Sequence, residues 1–102
     1  MEIVADGSTL VLRGDFDVRS TMEVRAAIHE QFNGYERDVV IDLTDVHAID
    51  LTALRVLAYA TREAGRSGHH LTLRGCGPSV RRMLHLSHLV RLVEIEAGAA
   101  TA

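Results

Sequence analysis

Residues 39–68 constrain this chain more than any other stretch, because a β-branched run passes almost directly into a long amphipathic helix. Val39, Val40, Ile41 and Leu43 form a nearly continuous apolar run, the pattern of a central strand covered on both faces. Asp42 interrupts it near its end, and residues Asp45 to Asp50 read as a short acidic loop. From Leu51 to Arg66 the spacing predicts a helix. Leu54, Leu57, Ala58, Thr61 and Ala64 fall on one stripe, with Arg55, Arg62, Glu63 and Arg66 mostly off it. Asp50 stands where an N-cap accepts the first free amides, and Gly65 and Gly68 end the helix.

The flanking segments supply partners for this unit. Glu2 to Ala5 and Thr9 to Arg13 are short apolar runs around Asp6-Gly7-Ser8, a hairpin signal that predicts two antiparallel strands. Gly14-Asp15-Phe16-Asp17 breaks the pattern. A helix follows from about Ser20 to Asn33, with Ser20 or Thr21 as cap and Glu23 at capping-box spacing from Ser20. Val24, Ile28 and Phe32 share one face, and Gly34 is placed to stop it. A strand, a crossover helix and a second strand make a right-handed unit with parallel pairing. Leu71 and Leu73 alternate in a fourth strand, His70 to Arg74. Pro78 opens a third helix whose inner face holds Val80, Met83 and Leu84, with Leu86 a further candidate. Arg91 to Ile95 reads as an edge strand, and 97–102 as a frayed tail. The order β-β-α-β-α-β-α-β implies an α/β fold. One mixed sheet of four to five strands packs with three to four α-helices in a single domain, 1–102.

Several functions are disfavoured by composition. A net charge of −3 without a basic run argues against nucleic acid or an anionic membrane surface as partner. Aromatic content of 4% leaves little for base stacking. There is no apolar run long enough to span a bilayer and no signal-peptide pattern. The lone Cys76 excludes an internal disulfide, so the expected location is the cytoplasm.

Motifs for catalysis are also sparse. No phosphate-cradling glycine loop is present, and Gly75-Cys76-Gly77 is too short for a dinucleotide fingerprint. His69 with His70, and His85 with His88, lack an identifiable third ligand for a metal. Cys76 precedes a helix, where a thiol pKa can fall, yet an isolated cysteine more often packs as a small apolar residue. The aspartates group as Asp15 with Asp17, and Asp42, Asp45 and Asp50. Loop solvation and helix capping account for most of them. The expectation is a chain with no cofactor, no metal and no catalytic residue.

Three stretches bring a family into view. Gly14-Asp15-Phe16-Asp17-Val18 precedes the first helix. Val39-Val40-Ile41-Asp42-Leu43 is followed by Val46 and by Ile49-Asp50-Leu51-Thr52-Ala53-Leu54. Gly68 to Leu73 is followed by Val80-Arg81-Arg82-Met83-Leu84. In order, spacing and length the chain resembles a STAS domain, the fold of bacterial anti-sigma factor antagonists. The resemblance covers nearly the whole chain.

The resemblance implies a regulatory binding module rather than an enzyme. Asp50 matches the family's signature Asp, and Thr52 falls where the family carries its phosphorylated Ser or Thr. Leu51 replaces a usual Ser, Ala53 a usual Gly, and His88 a frequent Gly. The implied partners are an anti-sigma factor with a serine-kinase fold and a phosphatase acting on phosphorylated Thr52. The implied partner surface comprises Asp15, Asp17, Asp45, His47, Asp50, Leu51, Ala53 and Arg55. Neither nucleic acid nor membrane insertion is expected. The family also includes constitutive subunits of transporters and stress-signalling scaffolds, which is the alternative reading.

Overall fold

A computed structural model describes residues 1–34 and 38–96. Its first element is the hairpin of β1 (Glu2–Asp6) and β2 (Thr9–Phe16), paired antiparallel from Glu2↔Arg13 to Asp6↔Thr9. Gly7 opens the two-residue turn at φ 60°, the sign such a tight turn favours and that glycine adopts at least cost. Then follow α1 (Thr21–Gly34), β3 (Val39–Ile49), α2 (Leu51–Arg66), β4 (Leu71–Arg74), α3 (Pro78–Leu86), a 3-10 turn (Leu89–Leu92) and β5 (Glu94–Ile95).

The sheet order is β1-β2-β3-β4-β5, with all pairs after the hairpin parallel. Each helical connection therefore steps the same way across the sheet. A common right-handed crossover puts all three helices on one face. The core is built there. Leu10, Ile41 and Leu73 sit in register across three strands, beside Leu12, Val39 and Leu71. Val24 and Ile28 of α1, Leu54 and Leu57 of α2, and Val80 and Leu84 of α3 close over them in one cluster.

This arrangement corrects the expectation that β3 is covered on both faces. Val39, Ile41 and Leu43 are buried, whereas Val40 and Asp42 are only half-buried on the helix-free side. Two further corrections concern strand length. β2 continues through Gly14 to Phe16, and β3 runs eleven residues to Ile49, so Asp45 to Ile49 are strand and not loop. The pairing explains the misreading. Between Thr9↔Val40 and Phe16↔Ile49, β3 inserts an extra residue twice, at the irregularities that follow Val11 and Gly14. Each bulge breaks the period of two that marks a strand, so only Val46 and Ile49 turn inward after Leu43.

The helices follow the spacing closely. α2 has the predicted bounds, and its stripe Leu54, Leu57, Ala58, Thr61 and Ala64 is buried. In α3, Val80 and Leu84 are buried but Leu86 is 67% exposed, because the helix ends there and the chain turns away. That turn passes through His88 at φ 63°, the left-handed region that glycine adopts at least cost. The expected edge strand from Arg91 shortens to Glu94–Ile95, since Leu89–Leu92 coil into the 3-10 turn. Gly34 lies within α1 and is not the stop after it. At the start of α1, the Ser20 and Thr21 hydroxyls donate back to the carbonyls of Asp15 and Val18, at 3.5 and 3.1 Å. The predicted tail, 97–102, lies outside the described residues.

Candidate functional site

Parallel strands bring their carboxyl ends together, and in open α/β sheets ligands favour that end. Here β2 and β3 end side by side at Phe16↔Ile49. Each leads directly toward a helix, α1 through Asp17–Ser20 and α2 through Asp50 alone. The two helix starts therefore share one surface.

Asp50 joins them. Its carboxylate caps α2, with Oδ1 accepting the Ala53 amide at 2.8 Å. The other oxygen, Oδ2, accepts the Val18 amide of the β2–α1 loop at 3.0 Å. Its own amide donates to the Phe16 carbonyl at 3.2 Å. One carboxylate thus stitches the loop before α1 to the first turn of α2. The capping half of this role was legible in the sequence. The bond to Val18 was not, because its partners lie 32 residues apart.

The loop has its own fastening. Asp17 accepts the Arg19 amide at 2.9 Å and the Arg19 guanidinium at 2.7 and 3.1 Å. The Arg19 side chain, followed by its amide, holds the Asp17 carboxyl below its ordinary range, and Asp17 in turn raises Arg19. Arg19 is a site residue that the sequence reading passed over. The signal was its place two residues after Asp17, an Asx-turn spacing.

Over this base stand the first residues of α2. Leu51 is 38% exposed, Thr52 is exposed in the first turn, and Arg55 lies exposed one turn on, on the side of Thr52. Ala53 is fully buried. Its methyl faces the core, so the expectation that its side chain contributes to an exposed contact surface is corrected. Asp15 is exposed and pairs with Ala48, which sets it beside His47, itself exposed by a bulge. Asp45 lies farther back along β3. Its carboxylate meets Arg13 at 3.4 Å, and Arg13 also reaches Glu2 at 3.5 Å. The structure therefore gathers Asp15, Asp17, His47, Asp50, Leu51 and Thr52 at one end, with Arg55 along α2 and Asp45 apart. Val18, 62% exposed, adds an apolar contact to the same end.

The other reactive groups lie elsewhere. Cys76 is 7% exposed, and burial raises its thiol pKa against the opposing charge of Arg81, which disfavours thiolate chemistry. Among the described residues no three His, Cys, Asp or Glu side chains group to hold a metal ion. Nor is any described helix long and apolar enough to cross a membrane.

Residues 2–94 match the family model described as "Mlab, STAS domain". A STAS-domain containing protein of Pseudomonas aeruginosa (strain UCBPP-PA14) is 31% identical over 93 residues, covering 89% of this chain and 91% of the relative. The chain belongs to the STAS-domain family. The backbone of this STAS domain is also similar to solved structures. An anti-sigma factor antagonist from Mycobacterium paratuberculosis superposes with TM-score 0.76 at 20% identity, covering 98% of this chain and 86% of that one. The Bacillus cell fate determinant SpoIIAA in its phosphorylated form gives TM-score 0.66 at 17% identity, covering 98% and 94%. At these identities the structures share the fold. The expected α/β architecture, one mixed sheet of four to five strands with three to four α-helices, is found with five strands and three α-helices among the described residues.

Proposed function

We propose that this STAS domain is an anti-sigma factor antagonist working by partner switching, with Thr52 as the phosphorylated residue. In this reading the unmodified domain binds an anti-sigma factor of serine-kinase fold and frees a sigma factor. The bound kinase then phosphorylates Thr52, which dismisses the domain, and a phosphatase restores it. The domain is the substrate in this cycle and not an enzyme.

The observation that carries the reading is the exposed Thr52 hydroxyl at the start of a helix whose cap, Asp50, is already satisfied. A phosphate there adds about −1.5 to −2 charges. The helix dipole favours an anion in the first turn by roughly 0.3–1 kcal/mol, so the fold tolerates it. A partner surface closed over Thr52 does not. Burying that charge unpaired costs on the order of 2–5 kcal/mol, which weakens binding by roughly thirty- to several-thousand-fold. Asp15 and Asp50 lie at the same end and add to the negative charge that a partner group closed directly over phosphorylated Thr52 meets. The relative SpoIIAA, whose phosphorylated form shares the fold, supports the reading by analogy.

A second reading rests on Leu51, an exposed leucine where the family has Ser, and on the match to a family described as "Mlab, STAS domain". Such a module would bind a transporter subunit or scaffold constitutively.

Affinity capture with wild type, Thr52→Ala and Thr52→Glu as baits separates the two. The switch predicts that wild type and Thr52→Ala retain a kinase-fold anti-sigma factor and that Thr52→Glu loses it. Equal retention of one partner by all three refutes the switch.

A further inference from the structure

Between α1 and α2 runs a groove of about 830 Å³ that the phosphorylation site does not use. Met22 of α1 and Tyr59 of α2 stand on it, 81% and 58% exposed, and Val56 and Phe32 contribute half-buried apolar surface. Met22, Val56 and Tyr59 lie off the buried stripes of their helices, where periodicity would place solvent-facing polar side chains, and Phe32 closes the groove from the inner face of α1. The groove also has an uncompensated charge. Its carboxylate, Glu63, is held by Arg66 at 3.3 Å, whereas Arg25 has no acidic partner among the described residues. The free charge is therefore positive, on a chain whose net charge is −3.

On α2 the residues Thr52, Val56, Tyr59 and Glu63 follow one another at spacings of three and four, so they share one side of the helix. The groove thus continues the surface that begins at Thr52. We propose that it seats an acidic amphipathic helix of the protein partner. The apolar face of that helix packs on Met22, Val56 and Tyr59, and a carboxylate meets Arg25. A groove between two helices accepts the side-chain ridge of a third, and apolar anchors at helical spacing are the mode of such docking. The inference deepens the partner-switch reading and rests on it for the existence of a protein partner. It adds what the partner presents: a helix whose negative charge is drawn to Arg25 and repelled by a phosphate at the neighbouring Thr52.

The test places photoreactive benzoylphenylalanine at position 59 of the full chain in its host and sequences the cross-linked segment. The expected segment is a polypeptide with apolar residues three and four apart and a net negative charge. Arg25→Glu, at an exposed helical position, lowers the cross-link about tenfold, and reversing an acidic residue of the captured segment to Arg restores it. Cross-linking to lipid, to a small molecule, to a second copy of this chain, to a basic segment or to nothing overturns the proposal. So does a cross-link indifferent to Arg25→Glu. Thr52→Glu is run in parallel. A cross-link lost with Arg25→Glu but kept with Thr52→Glu supports the groove and refutes the switch. One lost with Thr52→Glu but kept with Arg25→Glu does the reverse, and loss with both supports both.

Discussion

Replacing Asp50 by Ala removes two hydrogen-bond acceptors at once. One is the cap to the Ala53 amide at 2.8 Å, worth about 1 kcal/mol, with a range of roughly 0.5–2. The other is the bond to the Val18 amide at 3.0 Å. A hydrogen bond to a charged acceptor is worth about 1.5–3 kcal/mol, and the half-buried position of Asp50 argues for the lower end. The expected loss is about 2–3 kcal/mol. For a domain near 100 residues, each kcal/mol moves Tm by about 4–8 °C, so the midpoint falls by roughly 10–20 °C. Asp50→Asn retains one acceptor oxygen and turns an NH2 group toward the other amide, giving an intermediate loss of about 1–2 kcal/mol. Urea denaturation of both variants measures these losses, and amide hydrogen exchange locates them. Faster exchange at both Val18 and Ala53 is expected, since one carboxylate holds both. A loss below about 0.5 kcal/mol for Asp50→Ala, or deprotection of Ala53 with Val18 unchanged, refutes the two-armed role.

Gly75 has φ 71°, and a β-carbon there falls on the Thr44 hydroxyl and 3.1 Å from Thr44 Cα. Thr44 cannot simply yield, since its hydroxyl donates to Asp42 at 2.6 Å. Gly75→Ala is therefore expected to cost about 2–4 kcal/mol, whereas Gly68→Ala, at φ 79° in open space, costs only the backbone strain of about 1–2 kcal/mol; equal urea midpoints for the two refute the contact. His88→Gly relieves a left-handed backbone at φ 63° and is expected to stabilise by about 0.5–1 kcal/mol in thermal unfolding, after the entropy that glycine gains in the unfolded chain. His70 is raised above its ordinary value of 6.5, chiefly by its hydrogen bond and charge contact with Glu94, 3.0 Å away, and further by Asp38. The contribution of this pair to stability is fully present below pH 6.5 and lost as the pH climbs through the raised value. An NMR titration should place the His70 midpoint above 6.5 in wild type and closer to it in Glu94→Gln.

The sequence by itself determined the elements that rest on local rules. A two-residue turn with Gly7 makes the hairpin. The apolar stripe of Leu54, Leu57, Thr61 and Ala64 makes α2, with Asp50 capping its start and Gly68 just past its end, because capping and periodicity act within one or two turns of helix. The spacing around Thr52 was equally legible, since motif and helix start coincide. What depended on pairing or packing across the chain was not. Asp45 to Ile49 read as loop until β2 lay beside them, because a bulge is a relation between two strands and leaves only a broken alternation in one. The helix-free face of β3 follows from three crossovers of one hand, which no single strand encodes. The second arm of Asp50, the occupation of Asp45 by Arg13, the inward methyl of Ala53 and the groove holding Arg25 and Tyr59 likewise needed the tertiary structure. Each joins residues far apart in the chain, or turns on which side of a helix meets the sheet. Local chemistry placed the Thr52 hydroxyl at a helix start, and only the packing of α1 against α2 decided what surface surrounds it.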